Sequence, residues 1–93
     1  MLNEGRSAHG RRVVVFVAPG SGEVAVVAAR RVGGAVERNR ARRILREAWR
    51  EVASRGGDDD VVLVAREGIR GAKTQDLVVE MTELLRHDGS VRA

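Results

Sequence analysis

The stretch "RVGGAVERNRARRILREAWRE", Arg31 to Glu51, restricts the fold more than any other part of the chain. Ala41, Ile44, Leu45, Ala48, Trp49 and Val52 recur at three- and four-residue steps, the spacing of one face of an α-helix. Asn39, Arg42, Arg43, Arg46 and Arg50 recur in the same way on the opposite side. Six arginines (Arg38, Arg40, Arg42, Arg43, Arg46 and Arg50) fall within thirteen residues, interrupted by a single acid, Glu47. A helix with one apolar and one cationic side must lie on a second layer and turn its arginines outward. Gly33 and Gly34 break the segment before it, and Gly56 and Gly57 provide a stop after Ser54-Arg55.

The second layer is legible as strands. "RRVVVFVAPG", Arg11 to Gly20, is a β-branched run closed by a Pro-Gly turn signal. "EVAVVAAR", Glu23 to Arg30, follows within three residues, and that short gap predicts a hairpin. Val13, Val15 and Val17 share one face of the first strand, and Val14, Phe16 and Ala18 share the other. Both faces are apolar, so one can receive helices while the other needs a second cover or a ligand. Asp58 to Asp60 are assigned to a loop before an interior strand, Val61 to Ala65, and "EGIRGAK" to another loop. "TQDLVVEMTELLRHDG" is a second amphipathic helix, with Thr74 as its N-cap, Gly89 as its stop, and Leu77, Val78, Met81, Leu84 and Leu85 as its apolar stripe.

The order β-β-α-β-α predicts an α/β fold of the α+β sandwich kind: a small mixed sheet with both helices on one face. Its 93 residues allow one domain, with residues 1–8 and 88–93 expected to fray. The chain has one Phe, one Trp and no Tyr, so the core must come from Val, Ala and Leu. With no cysteine, disulfides and thiolate metal sites are excluded. His9 and His87 are placed in a loop or at a helix end, too sparse a set for a metal site. Ser7, Ser54 and Ser90 are placed in loops or at element ends without a histidine partner, and no phosphate-binding glycine loop is present. No catalytic residue is identified. The N-terminus has no apolar signal region and no stretch is long enough to span a bilayer, which predicts a cytoplasmic protein with no membrane association.

The formal net charge of +4 hides a division. Through Gly56 the chain has 12 Arg against 5 acids, and from Gly57 onward 5 basic residues against 8 acidic ones. Such asymmetry points to one half that faces a polyanion. Guanidinium groups bind phosphates through paired donors, and their mutual repulsion on a helix face is relieved when they do. Asn39, set within the basic run, has an amide that can bond to a base or ribose, or can simply serve the helix start.

The segment "AARRVGGAVERNRARRILREAWRE" closely resembles the signature of the bacterial ribonuclease P protein family. Arg30-Arg31, Val32-Gly33-Gly34-Ala35-Val36, Arg38-Asn39-Arg40 and Arg46-Glu47-Ala48-Trp49 carry the match, and the resemblance extends from Gly5 to Arg86. It implies a subunit of an RNA-based endonuclease, in which the RNA partner removes the 5′ leader of precursor tRNA using Mg2+ held mainly by the RNA. It implies that Arg38, Asn39, Arg40, Arg42, Arg43 and Arg46 contact RNA. It also implies that Phe16 and Val14, with Arg11, Arg31 and Arg66 around them, line a cleft for the single-stranded leader. The family's βαβ crossover is left-handed, against the general rule. No obligate protein partner is implied, and Trp49 is assigned to the core.

Family members normally begin with a helix whose aromatics help wall the leader cleft. This chain starts at "MLNEG", close to where that helix ends, so the resemblance implies a short form with weaker leader affinity. Two other readings remain open at this point: a non-catalytic RNA-binding module, ribosome-associated or chaperone-like, and a truncated subunit unable to support cleavage.

Overall fold

A run with apolar residues on both faces is most stable in the middle of a sheet, and "DDVVLVA" takes that place in the computed structural model, which describes residues 6–53 and 59–88. The elements are β1 (Arg6–His9), β2 (Val13–Pro19), β3 (Val24–Val27), α1 (Ala35–Val52), β4 (Asp59–Ala65) and α2 (Thr74–Asp88). The sheet order is β1-β2-β4-β3. β4 pairs antiparallel with β2, from Val13 opposite Ala65 to Pro19 opposite Asp59, and parallel with β3, from Val24 opposite Val61 to Val27 opposite Val64. The sheet is therefore mixed, as expected, and α1 is the crossover of a βαβ unit between β3 and β4.

The expected hairpin between β2 and β3 does not form, because β4 lies between them. The link from Gly20 to Glu23 must span two strand spacings, about 10 Å, which a two-residue hairpin turn cannot reach. It passes over the start of β4 and is tied there by Asp60. One oxygen of that carboxylate, Oδ1, accepts the N–H groups of Ser21 (3.0 Å) and Glu23 (2.9 Å). The Val61 N–H donates to the Glu23 carbonyl at 2.8 Å. Gly20 is required by this crossing, since a Cβ there would overlap the Asp60 carboxylate. Asp59 and Asp60 thus belong to a strand and not to the expected loop. Asp58, like the expected helix stop at Ser54 to Gly57, lies outside the described residues.

Three further corrections concern element bounds. Arg6–His9, expected to fray or loop, forms a strand antiparallel to β2 with Ser7 opposite Phe16 and His9 opposite Val14. Residues 1–5 and 89–93, including the expected stop at Gly89, lie outside the described residues. The second strand ends at Val27, and Arg30–Val32 form a 3-10 turn, with another at Glu67–Ile69 inside the expected loop. Thr74 does not cap α2. The Lys73 N–H donates to the Asp76 carboxylate (3.0 Å), while the Thr74 hydroxyl reaches across to Glu47 on α1 (2.8 Å).

Alternation sorts the sheet into two faces. Val13, Val15 and Val17 of β2 and Val61, Leu63 and Ala65 of β4 are buried against the helices. Ala41, Ile44, Leu45, Ala48 and Trp49 of α1 and Leu77, Met81 and Leu85 of α2 complete this core, as the helical spacing predicted. α2 is fixed to the sheet by Glu80. Its Oε2 accepts the Arg12 backbone N–H (2.8 Å) and its Oε1 accepts the Arg12 guanidinium (2.9 Å). The Glu80 side chain is only 12% exposed, so little water competes for it. Among the described residues, no helix covers the other sheet face.

Two predictions concern these ties. Glu80→Ala should destabilise the fold by about 1–3 kcal/mol, measured by urea unfolding, because it strands a part-buried N–H and a guanidinium together. The two backbone bonds hold the Asp60 carboxyl below its ordinary value of 3.8. A lowered folded pKa means that its contribution is complete above the unfolded value and is lost as pH falls through the folded one. The melting-temperature gap between wild type and Asp60→Ala should therefore be full at pH 7 and shrink below about pH 4. Asp60→Asn, which keeps Oδ1 but not the charge, should fall between the two.

Candidate RNA interface

Helix α1 is positioned by its first turn. Gly33 has φ 147°, a conformation L side chains rarely adopt, and a Cβ on it would overlap the Glu37 carboxylate. That carboxylate folds back to accept the Gly34 N–H (2.8 Å), which satisfies one donor at the helix start. The same group faces Arg70 at 3.4 Å, and the two contacts hold its pKa below the ordinary carboxylate value, the backbone bond most strongly. The glycine pair expected to permit positive φ thus does so at Gly33, and Gly34 serves as the N-cap.

The six predicted RNA contacts of α1 separate into two groups. Asn39, Arg42, Arg43 and Arg46 lie together on the outer side and line a shallow depression with Glu47 and Arg50. Arg50 extends the stripe by a further turn. Its i+4 spacing from Arg46 is the signal that places it there, although the family signature does not include it. Arg42 Nη1 donates to Asn39 Oδ1 at 2.7 Å, so the amide keeps its NH2 to offer to a ligand. Arg38 and Arg40 are bound to the protein itself. Arg38 Nη1 donates to the Gly33 carbonyl (3.1 Å) and Arg40 Nη2 to the Ala72 carbonyl (2.7 Å), and both side chains are half-buried. These two arginines secure the helix start and the α1–α2 junction with part of their donor set.

Two acids of α1 have partners outside the stripe. Glu37 serves Gly34 and Arg70, and Glu47 accepts from Thr74. Neither carboxylate hydrogen-bonds to Arg42, Arg43 or Arg46, and although Glu47 lines the same depression, the arginines outnumber it and make the surface mainly cationic, for which phosphate is the best-matched group.

The uncovered sheet face is the second surface. Phe16 stands on it 42% exposed, between Ser7 of β1 and Val62 of β4. Val14 shares the face but is buried, with only 8% exposure. Ala25 and Val27 of β3 and Val62 and Val64 of β4 complete the surface, and Val27 is 44% exposed. These four were not singled out in the sequence, although alternation along β4 carries the signal.

Arg11, Arg31 and Arg66 lie at one end of the sheet. Arg11 lies in the β1–β2 turn, Arg66 follows the last residue of β4, and Arg31 lies in the turn after β3. Because β3 and β4 run parallel and β2 runs against them, these three points share one edge of the sheet. All three side chains are exposed, and Arg66 Nη1 donates to the Gly10 carbonyl at 3.1 Å. Helix α1 begins at the same end of the sheet, packed on the face opposite the open one. Ser7 proves to be on a strand, with Oγ 3.3 Å from His9 Nε2. That exposed contact joins neighbours on one strand face, and among the described residues no carboxylate bonds to His9 to orient it as a catalytic base.

The sequence pattern of the family described as Ribonuclease P matches residues 1–88. The chain belongs to the ribonuclease P protein family. It is 37% identical over 90 residues to the ribonuclease P protein component of Dehalococcoides mccartyi, covering 94% of this chain and 71% of that one. Identity to the component of an Exiguobacterium species is 34% over 90 residues, covering 94% and 75%. The fold is that of the Staphylococcus aureus ribonuclease P protein, with a TM-score of 0.75 at 22% identity over 89% of this chain and 80% of that one. The Thermotoga maritima protein gives a TM-score of 0.75 at 21% identity, over 97% and 86%. This chain is thus a protein subunit of an endoribonuclease that processes tRNA.

Removing one stripe charge should weaken RNA binding uniformly. Arg46→Ala is expected to reduce the slope of log K against log salt by about one, measured with structured RNA from low to moderate salt. Arg86→Ala, a change on α2, should leave the slope as it is.

Proposed function

We propose that this subunit binds the catalytic RNA of ribonuclease P through Asn39, Arg42, Arg43, Arg46 and Arg50, with Arg38 and Arg40 holding the helix and contributing their remaining donors. The open sheet face then takes the single-stranded 5′ leader of precursor tRNA. Phe16 stacks a base, Val14 forms part of the floor, and Arg11, Arg31 and Arg66 meet backbone phosphates. The observation that carries this is Phe16, an aromatic left exposed on an aliphatic face whose edge is lined with guanidinium groups. A stacking surface beside a cationic track is what single-stranded nucleic acid requires, whatever its base sequence.

In this assignment hydrolysis belongs to the RNA and to the magnesium it holds, and the complex works in the cytoplasm. Magnesium is assigned to the RNA, and no residue of this chain is given a part in holding it. No described helix is long and apolar enough to cross a membrane. The chain's part is to raise the affinity of the complex for precursor over product. Two RNA surfaces on one small domain suit that part, because one chain can then hold both the catalytic RNA and the leader.

Reconstitution tests the proposal. Added to a bacterial ribonuclease P RNA at low magnesium, the chain should accelerate cleavage of a 5′-extended precursor tRNA. Phe16→Ala should weaken binding of precursor by about five- to tenfold and leave mature tRNA unchanged. Equal loss for both RNAs would leave the stripe as an RNA site and remove the leader assignment.

A further inference from the structure

The chain is poor in rings, which makes the position of each one informative. Trp49 is buried in the core. The other two rings described, Phe16 and His9, stand together on the open sheet face. Their centroids are 6.4 Å apart and their planes are inclined by 72°. His9 lies at the end of β1 opposite Val14, one step along the same face from the Ser7–Phe16 pair. It is exposed, so the fold gains little from burying it.

Three features make His9 more than a strand residue. Its ring is held from two sides, by Phe16 and by the Ser7 hydroxyl, which can donate to or accept from Nε2 and so suits either tautomer. It also stands between Phe16 and the cationic edge. Gly10, the next residue, accepts the Arg66 guanidinium through its carbonyl, and Arg11 follows. Finally, two rings near a right angle make a corner, in which a base stacked on one ring turns its rim toward the other.

We propose that His9 is a second base-contacting ring of the leader surface, taking the nucleotide next to the one on Phe16, on the side toward Arg66 and Arg11. This rests on the leader assignment made above and extends it. It gives the bound strand an order: phosphates at Arg11 and Arg66, then a base against His9, then a base on Phe16.

The test uses the chain assembled with a ribonuclease P RNA and precursor tRNAs carrying a single fluorescent 2-aminopurine at successive leader positions, since stacking quenches this base. His9→Ala and His9→Thr, the second chosen to keep strand propensity, should each release quenching at one position. Phe16→Ala should release it at an adjacent position. Both His9 variants should lower the ratio of precursor to mature tRNA affinity by about five- to tenfold, the low end of what losing one stacking ring costs. His9→Phe should restore both signals. If a position responds to Phe16→Ala and none responds to the His9 variants, the inference is wrong and the leader assignment stands. If His9→Phe behaves like His9→Ala, the ring is not what acts, and the inference is equally overturned. If no position responds to either residue, the leader assignment fails and the inference falls with it.

Discussion

β4 exchanges backbone hydrogen bonds on both edges, antiparallel with β2 and parallel with β3, and the placement of both candidate RNA surfaces follows from that. The parallel pairing requires a crossover, which is α1. The antiparallel pairing brings the start of β2 to the end of β4, so that the Arg66 guanidinium reaches the Gly10 carbonyl next to Arg11. Separating β2 from β3 also forces the link between them across the sheet edge, where the Asp60 carboxylate holds it by two N–H groups. A simple β2–β3 hairpin would leave β4 on the outside, with one row of its peptide groups unpaired beside an apolar face.

Charge is divided according to task. Glu37, Asp60, Glu80 and Asp76 each bind a backbone N–H and act as fasteners. Because these carboxylates are drawn to backbone and to Arg70 and Arg12, the outer arginines of α1 keep their charge available. Arg38 and Arg40 show the opposite use of the same side chain, since each gives a donor to a carbonyl and binds α1 to its surroundings. A guanidinium has donors enough to do this and still meet a phosphate.

The open face sets stability against binding. Phe16 and Val27 at 42% and 44% exposure contribute less to folding than they would under a covering helix. The helices cover the opposite face, where Leu45, Leu63, Leu77 and Met81 are sealed from water. The result is one face that holds the fold together and one that stays available for a flat, stackable ligand.

Periodicity alone established the two amphipathic helices, the position of Trp49 on the apolar helix face, the two-faced character of the Val13–Ala18 strand and the cationic stripe. All of these depend on the 3.6- and 2-residue repeats of local backbone geometry. The resemblance carried by "VGGAVERNR" and "REAW" added the family. Strand order was not legible, because a Pro-Gly turn followed by a strand has the same local chemistry whether the strands pair or a third inserts between them. Strand β1 was missed because "RSAH" has no apolar alternation and gains its pairing only from β2. Nor could spacing distinguish Arg42, Arg43 and Arg46, which face outward, from Arg38 and Arg40, which bond to carbonyls: the partners, Gly33 and Ala72, include one 32 residues away. The meeting of His9 with Phe16, and the placement of Arg11, Arg31 and Arg66 at one end of the sheet, likewise came from pairing register. Sequence determines what each segment can bury. Which segments become neighbours is decided only when the sheet closes around β4.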